Sequence, residues 1–359
     1  MKLPSKFILL ALAFGAGASE IKHDQQIVFI PTIGWRVENG SAWELEIRGC
    51  VYELELRGAA LEVLRKAVGL GSTKMSAEEQ LVFARRARFF LVDNERGKEV
   101  SVRVGSRQII CKKSGADGRF GTNIRLSNAE VQSLLTSNMT IRIEAVLPKT
   151  DLRAFTGEVA LVDQRGLTVI SDIDDTIKVS EVLDRSAMLR NTFLKPFIPA
   201  PGMAALYSDW AKEGAQFHYA SASPAQLFLP LADFVQTNGF PAGTFHLKAF
   251  RWKDQTFFSL FSDPVKYKLG VLEPLFEKFP QRHFVLVGDS GERDPETYGT
   301  LARKYPKQVI RILIRDVTGT TADAARYKKA FHDLPDGRWQ IFREPAEISP
   351  IIRQLGREE

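Results

Sequence analysis

Residues 167–176 read Leu-Thr-Val-Ile-Ser-Asp-Ile-Asp-Asp-Thr, an apolar run passing straight into an acid-rich turn. The run 167–170 predicts a buried strand. While the chain stays extended, Asp172 and Asp174 project from one side and Asp175 from the other, so two carboxylates converge on one pocket. Such a pair suits a reaction that needs an anionic oxygen nucleophile with an acid or base beside it. It also suits Mg2+, a hard ion that takes carboxylate, carbonyl and water oxygens. Alone, the same pattern also describes a solvated turn or a helix cap.

Partners follow downstream. The stretch Phe217-His218-Tyr219-Ala220 reads as a second buried strand and delivers Ser221 at its C-terminal end. Lys268 opens a helix whose apolar positions Leu272, Leu275, Phe276 and Phe279 recur at helical spacing. A third strand, residues 284–287, runs into Gly288-Asp289-Ser290-Gly291-Glu292-Arg293-Asp294, where the glycines permit a tight turn and Asp289 is a natural metal ligand. From Gly166 onward strands alternate with helices, among them helices over 201–214 and 225–238 and a buried strand at 309–314. This alternation predicts an α/β fold with a parallel sheet and right-handed crossovers, which binds ligands at the carboxyl ends of its strands. Asp172, Ser221 and Asp289 each fall just past such an end.

Together these residues resemble the four motifs of the haloacid dehalogenase superfamily of Mg2+ phosphohydrolases. The strings SDIDDTIKVSEV (171–182), RNTFL (190–194), PGMAALY (201–207), FHYASASPAQL (217–227) and LVGDSGERDPETYG (286–299) look like the catalytic domain of actin-patch-protein-type phosphatidate phosphatases, over about residues 166–345. That resemblance implies Asp172 as a nucleophile forming an aspartyl-phosphate, and Asp174 as the acid for the leaving alkoxide and then the base for water. It implies Mg2+ on the Asp172 carboxylate, the Asp174 carbonyl and the Asp289 carboxylate, with Asp294 in support. Ser221 and Lys268 would hold the phosphoryl oxygens. The family pattern favours Lys268 over Lys266. Ser223 and Lys178 either touch substrate or are a helix cap before Pro224 and an exposed lysine.

A chain of 359 residues, 44% hydrophobic, is long enough for two domains with sizeable cores. Residues 1–18 have the basic start, apolar run and small-residue end of a secretory signal with cleavage after Ala18, which predicts a periplasmic or secreted protein. Loss of Lys2 and Lys6 with that segment lowers the formal charge from +6 to +4. So mild an excess is no nucleic-acid-binding signature, and it would attract an anionic lipid surface only weakly. No later stretch reads as transmembrane. Cys50 and Cys111 either form one disulfide or stay separate thiols, and the five histidines make no metal-spaced cluster.

Residues 20–165 have a different texture from the rest. Alternating runs at 43–47, 51–56, 89–92, 100–104 and 139–143 predict half-buried strands of a mainly β, sandwich-like accessory domain, preceding a catalytic domain over 166–359. A helix is expected at 76–86, with Ser76 and Glu79 spaced as a capping box, and a loop at 113–121. Nothing in this part concentrates convergent chemistry, and similar proteins suggest recognition or scaffolding.

Only 25 residues lie between Thr176 and Gly202, and no lid-sized insertion follows Ser221, so the site is expected to lack a large cap. An open site would admit a bulky or membrane-embedded phosphomonoester. The segment 249–261 interleaves Arg251, Trp252 and Lys253 with Phe257, Phe258 and Phe261, which either dips into a lipid interface or is core. The expected activity is Mg2+-dependent hydrolysis of phosphatidate to diacylglycerol and phosphate. The alternatives are another phospholipid or soluble phosphomonoester, and a catalytically silent binding module.

Overall fold

A computed structural model describes residues 19, 21–37, 40–53, 58–248 and 264–355. Residues 1–18, where a secretory signal is expected, and the aromatic-basic segment 249–261 lie outside them. The first sheet is built from β1 (Gln25–Phe29), β2 (Thr32–Val37), β3 (Ala42–Glu53), β4 (Asp93–Asn94), β5 (Ser101–Val104), β6 (Arg107–Ile110), β7 (Arg119–Ser127), β8 (Thr140–Ala145) and β9 (Thr156–Val162). Its order is β1-β3-β2-β9-β8-β5-β6, with β4 and β7 also paired to β3. Hydrogen bonding is thus continuous through the parallel β2–β9 pair, and the first unit is mainly β as expected. One core collects inward residues from both ends of that sheet, including Trp43, Leu45 and Ile47 of β3 and Val102, Ile141 and Val159.

The run at 43–47 and the start of the run at 51–56 belong to one strand, since β3 continues through Gly49 to Glu53, residues 54–56 lying outside the described residues. A Cβ at Gly49 would lie 2.4 Å from the Phe120 ring and 2.7 Å from the Val28 carbonyl oxygen, so the neighbouring strands close in only because this residue is glycine. Cys50 and Cys111 are separate thiols, each pushed up to about 12 mainly by burial.

The strand expected at 89–92 is a correction. Between β3 and β4 the chain forms α1 (Gly58–Ala67) and α2 (Ala77–Ala87), and α2 runs into a 3₁₀ turn at Arg88–Phe90. Ser76 and Glu79 make the expected capping box. Phe83, Ala87 and Phe90 then fall on one face, and the rings of Phe83 and Phe90 lie 6.3 and 5.6 Å from that of Phe193. Helical spacing, satisfied by a distant partner, overrides the local β-like run. These helices leave the β core and join Leu189, Phe193, Met203 and Tyr207 of the second unit.

That unit contains α4 (Arg185–Phe193), α5 (Met203–Lys212), α6 (Phe228–Thr237), α7 (Pro264–Lys278), α8 (Asp294–Lys304), α9 (Ala325–Ala330) and α10 (Ile351–Leu355), α3 (Asn128–Leu134) belonging to the first. Its strands are β10 (Leu167–Ser171), β11 (Gln216–Pro224), β12 (Thr244–Lys248), β13 (His283–Asp289), β14 (Val309–Arg315) and β15 (Trp339–Phe342). All pairs are parallel in the order β12-β11-β10-β13-β14-β15, and β10 pairs Ser171 with Tyr219 on one side and Val287 on the other. Helices cover both faces. Val169, Phe217 and Val285 pack with α4, α5 and α6, while Ile170, Phe284 and Leu286 pack with α7, α8 and α9. Chain direction across the sheet reverses at β10 and β13, the topological switch point where such sheets bind ligands.

The Thr244 hydroxyl lies between two half-sheet histidines, 2.5 Å from His218 Nδ1 and 3.0 Å from His246 Nε2. Burial first, then mutual repulsion and nearby Arg282 and Lys278, holds His218 well below its usual value. His246 is lowered to about 4, mainly by burial. As pH falls from the unfolded value near 6.5, the unfolded chain takes up protons that the folded histidines refuse, so stability declines with acidification, at up to about 1.4 kcal/mol per pH unit per histidine. Urea midpoints between neutral pH and pH near 4 should show this slope, and H218Q/H246Q protein should show a shallower one.

Candidate active site

Each functional side chain stands where a strand of the second sheet ends. The Asp172 amide donates to the Val287 carbonyl (2.8 Å), which ties the end of β10 to β13. Asp172 is fully buried, with Lys268 Nζ 2.8 Å from Oδ1 and the Thr176 hydroxyl 3.3 Å from Oδ2. Asp175 turns away from the pocket. It takes a left-handed backbone (φ 53°), and its carboxylate accepts from the amides of Ser180 (2.7 Å), Glu181 (2.9 Å) and Val182 (2.6 Å). The chain therefore folds back over the site and carries Lys178 and Ser180 to Asp174.

Asp174 sits among donors. Its Oδ1 faces Lys178 Nζ (2.8 Å) and accepts from the Ser180 hydroxyl (2.7 Å), and its Oδ2 accepts from the hydroxyls of Ser221 and Ser223, both at 2.9 Å. Burial alone would raise this carboxyl. Lys178 and the hydroxyls outweigh it and hold the group well below the usual carboxylate range. Of the alternatives the sequence leaves open, the structure removes the exposed lysine and the helix cap: Lys178 is buried, and the Ser223 hydroxyl bonds Asp174.

Lys268 does not open its helix, because α7 begins at Pro264. It is buried whereas Lys266 is exposed. Its ammonium reaches Asp172, Glu292 Oε2 (3.3 Å) and Asp294 Oδ1. Burial disfavours the charge, but Asp172, Asp294 and Glu292 more than offset it, so the amine titrates well above its usual value and stays protonated.

The loop after β13 completes the constellation. Asp289 Oδ1 accepts from the amides of Gly291 (2.5 Å) and Glu292 (3.0 Å). Asp294 opens α8 and accepts from the Asp289 amide (3.2 Å), an approach that requires Gly288, where a Cβ would lie 2.3 Å from Asp294 Oδ2. Arg326 holds the loop through the carbonyls of Ser290 and Glu292. Asp172 and Asp289 both titrate well above the usual range, mainly through burial, and Glu292 is pushed up to about 7 by burial against the pull of Lys268.

Three carboxylates, Asp172, Glu292 and Asp294, thus share one ammonium, and a fourth, Asp289, stands beside them. Oxygens of Asp172, Asp289 and Glu292 lie within 4.8 Å of one another, and Asp289 Oδ2 is buried with no hydrogen-bond partner among the described residues. An orphaned carboxylate oxygen inside a surplus of negative charge fits a hard divalent cation. Asp294, by contrast, faces Lys268 and the Asp289 amide. Glu292 stands closer to the other acids, although sequence reasoning passed over it; an acid inside the short 288–294 turn was the available signal.

A parallel sheet reversing at β10 and β13, with an Asp-x-Asp pair beyond the first strand and acids beyond the second, places these carboxylates at the topological switch point of an α/β domain. Residues 167–316 match the family model described as "Phosphatidate phosphatase APP1, catalytic domain", which shows the resemblance over that segment. The chain is 30% identical over 248 residues to phosphatidate phosphatase APP1 of Saccharomyces cerevisiae, covering 64% of this chain and 40% of that protein. An uncharacterised protein of Schizosaccharomyces pombe is 29% identical over 192 residues, covering 51% of this chain and 31% of that one. The chain therefore spans less than half the length of either relative. Among solved structures, a D,D-heptose 1,7-bisphosphate phosphatase from B. bronchiseptica complexed with magnesium and phosphate overlaps with TM-score 0.31 at 11% identity, over 54% of this chain and all of that one. A putative beta-phosphoglucomutase from Thermotoga maritima gives 0.33 at 13%, over 53% and all of it. Overlaps this loose add nothing to the strand order itself.

Proposed function

We propose that the protein is a Mg2+-dependent phosphatidate phosphatase that releases diacylglycerol and phosphate through an aspartyl-phosphate on Asp172. The observation that carries the chemistry is the buried Asp172, held by Lys268 beside the unpartnered Asp289 oxygen. The choice of lipid rests on the family match over residues 167–316. No helix among the described residues is long and apolar enough to cross a membrane, so the substrate would be reached from a membrane surface.

An Asp172 carboxylate oxygen attacks phosphorus and the phosphorus–glycerol oxygen bond breaks. Asp174 gives its proton to the departing alkoxide. Water then attacks phosphorus, Asp174 takes the proton, and the bond to Asp172 breaks to release phosphate. Asp174 is held ionised by Lys178, Ser180, Ser221 and Ser223. Its acid role therefore needs the arriving phosphoryl group to draw Lys178 and the hydroxyl donors away from it, which would let the carboxyl take up a proton from solvent before the alkoxide departs. Lys268 neutralises charge on the equatorial oxygens. Asp172, Asp289 and Glu292 would hold Mg2+, which when bound supplies further charge neutralisation at the phosphoryl group.

Phosphate release from phosphatidate in mixed detergent micelles, with and without Mg2+ and beside a soluble phosphomonoester, tests this reading. Release from the lipid that requires Mg2+ is expected; turnover of the soluble ester alone would discard the lipid. Binding is separable from turnover. Mg2+ should raise the thermal midpoint, by the equivalent of about 2.7 kcal/mol at a hundredfold excess over its dissociation constant. D289N protein should show little of that shift, and an equal shift would remove Asp289 from the ligand set.

A further inference from the structure

A second concave site, with a volume of about 490 Å³, opens between α2 and α6. Three arginines line it, Arg85, Arg86 and Arg88, against the apolar surfaces of Phe89, Phe197 and Leu229. Asp233 is the one acid of that lining. The arginines differ in their state. Arg86 is buried, donates to the carbonyls of Asn191 and Thr192, and places its guanidinium carbon 3.7 Å from the centre of the Phe197 ring. Arg85 and Arg88 are exposed, and among the described residues neither has an ion-paired carboxylate. Arg88 rests on the ring of Phe89, 4.6 Å from its centre.

Exposed apolar side chains flank this basic groove. Leu81, one helical turn before Arg85, is 59% exposed, and Ile198, the neighbour of Phe197, is 55% exposed. Phe197 also joins the groove to the active site: Lys178 Nζ, which pairs with Asp174, lies 5.0 Å from the centre of the same ring.

We propose that the groove is a docking site for the phosphate headgroup of an anionic phospholipid in a bilayer, distinct from the phosphatidate that is cleaved. Two exposed guanidinium groups with no ion-paired carboxylate among the described residues match phosphate oxygens in charge and in planar donor geometry. The volume is in the range of small-ligand sites. The apolar lining and the exposed Leu81 and Ile198 fit the acyl-glycerol region beneath a headgroup, and a free phosphate ion would leave that surface unused. A bilayer seated here is separated from the Asp174 pocket by the Phe197 ring, so docking would hold the membrane beside the catalytic opening.

Docking is measured on the full chain carrying Asp172→Asn, so that vesicle composition stays constant and the result does not depend on the phosphatase reading. Cosedimentation with vesicles of phosphatidylcholine alone is compared with vesicles also containing phosphatidylglycerol. Preferential binding to the anionic vesicles is expected, weakened roughly 30-fold by R85A/R88A. Both side chains are exposed, so the thermal midpoint should not change, and R85K/R88K should recover only part of the binding, because the charge remains but the planar donor fork is lost. Equal binding by R85A/R88A protein, no preference of the parent for anionic vesicles, or loss of binding on addition of inorganic phosphate at constant ionic strength would each overturn the proposal.

Discussion

D172N protein should release phosphate roughly 10⁶-fold more slowly than the parent, the scale seen when a covalent nucleophile is removed. The amide keeps the shape of the side chain, and its carbonyl oxygen can still accept from Lys268, now 2.8 Å from Oδ1. It lacks the anionic oxygen that would bond to phosphorus. Binding of the lipid should survive, because one of four clustered negative charges is gone and repulsion of the phosphate falls. A steady-state assay in mixed micelles checks both halves. A loss confined to KM would mean that Asp172 positions substrate and forms no bond.

K268M protein should be both slow and unstable. Removing the ammonium leaves Asp172, Asp294 and Glu292 without their shared cation in a buried site, and breaking such a pairing typically costs about 3–5 kcal/mol. Turnover should fall as well, by roughly 10²–10³, the effect of losing one donor to developing charge. Urea unfolding in chelator measures the stability term without interference from a bound cation. An unchanged midpoint would show that the carboxylates are already neutral in the parent protein and that Lys268 is not their counterion.

The second sheet was readable because three apolar runs end in polar residues: 167–170 before Asp172, 217–220 before Ser221 and 284–287 before Asp289. Period and length define such strands locally, and alternation with helices implies their parallel order. What surrounds Asp174 was not readable in the same way. Lys178 and Ser180 converge on it only because Asp175 adopts a left-handed turn and caps three successive amides, a backbone event with no apolar period, while Ser223 arrives from the end of β11. The 89–92 run misled for a related reason. Its partner Phe193 lies about a hundred residues away, and local propensity carries no record of that contact. The first unit was legible as mainly β from the Trp43, Leu45, Ile47 alternation, but the β2–β9 pairing that makes its sheet continuous is a long-range closure.

The most direct test of the central claim is transfer of label from phosphatidate carrying a radioactive phosphate, followed by rapid acid quenching and peptide mapping. Label on the peptide containing Asp172, removed by hydroxylamine and absent from D172N protein, is the predicted result. Phosphate release from phosphatidate that persists in D172N protein, or label that maps to another side chain, would contradict the account.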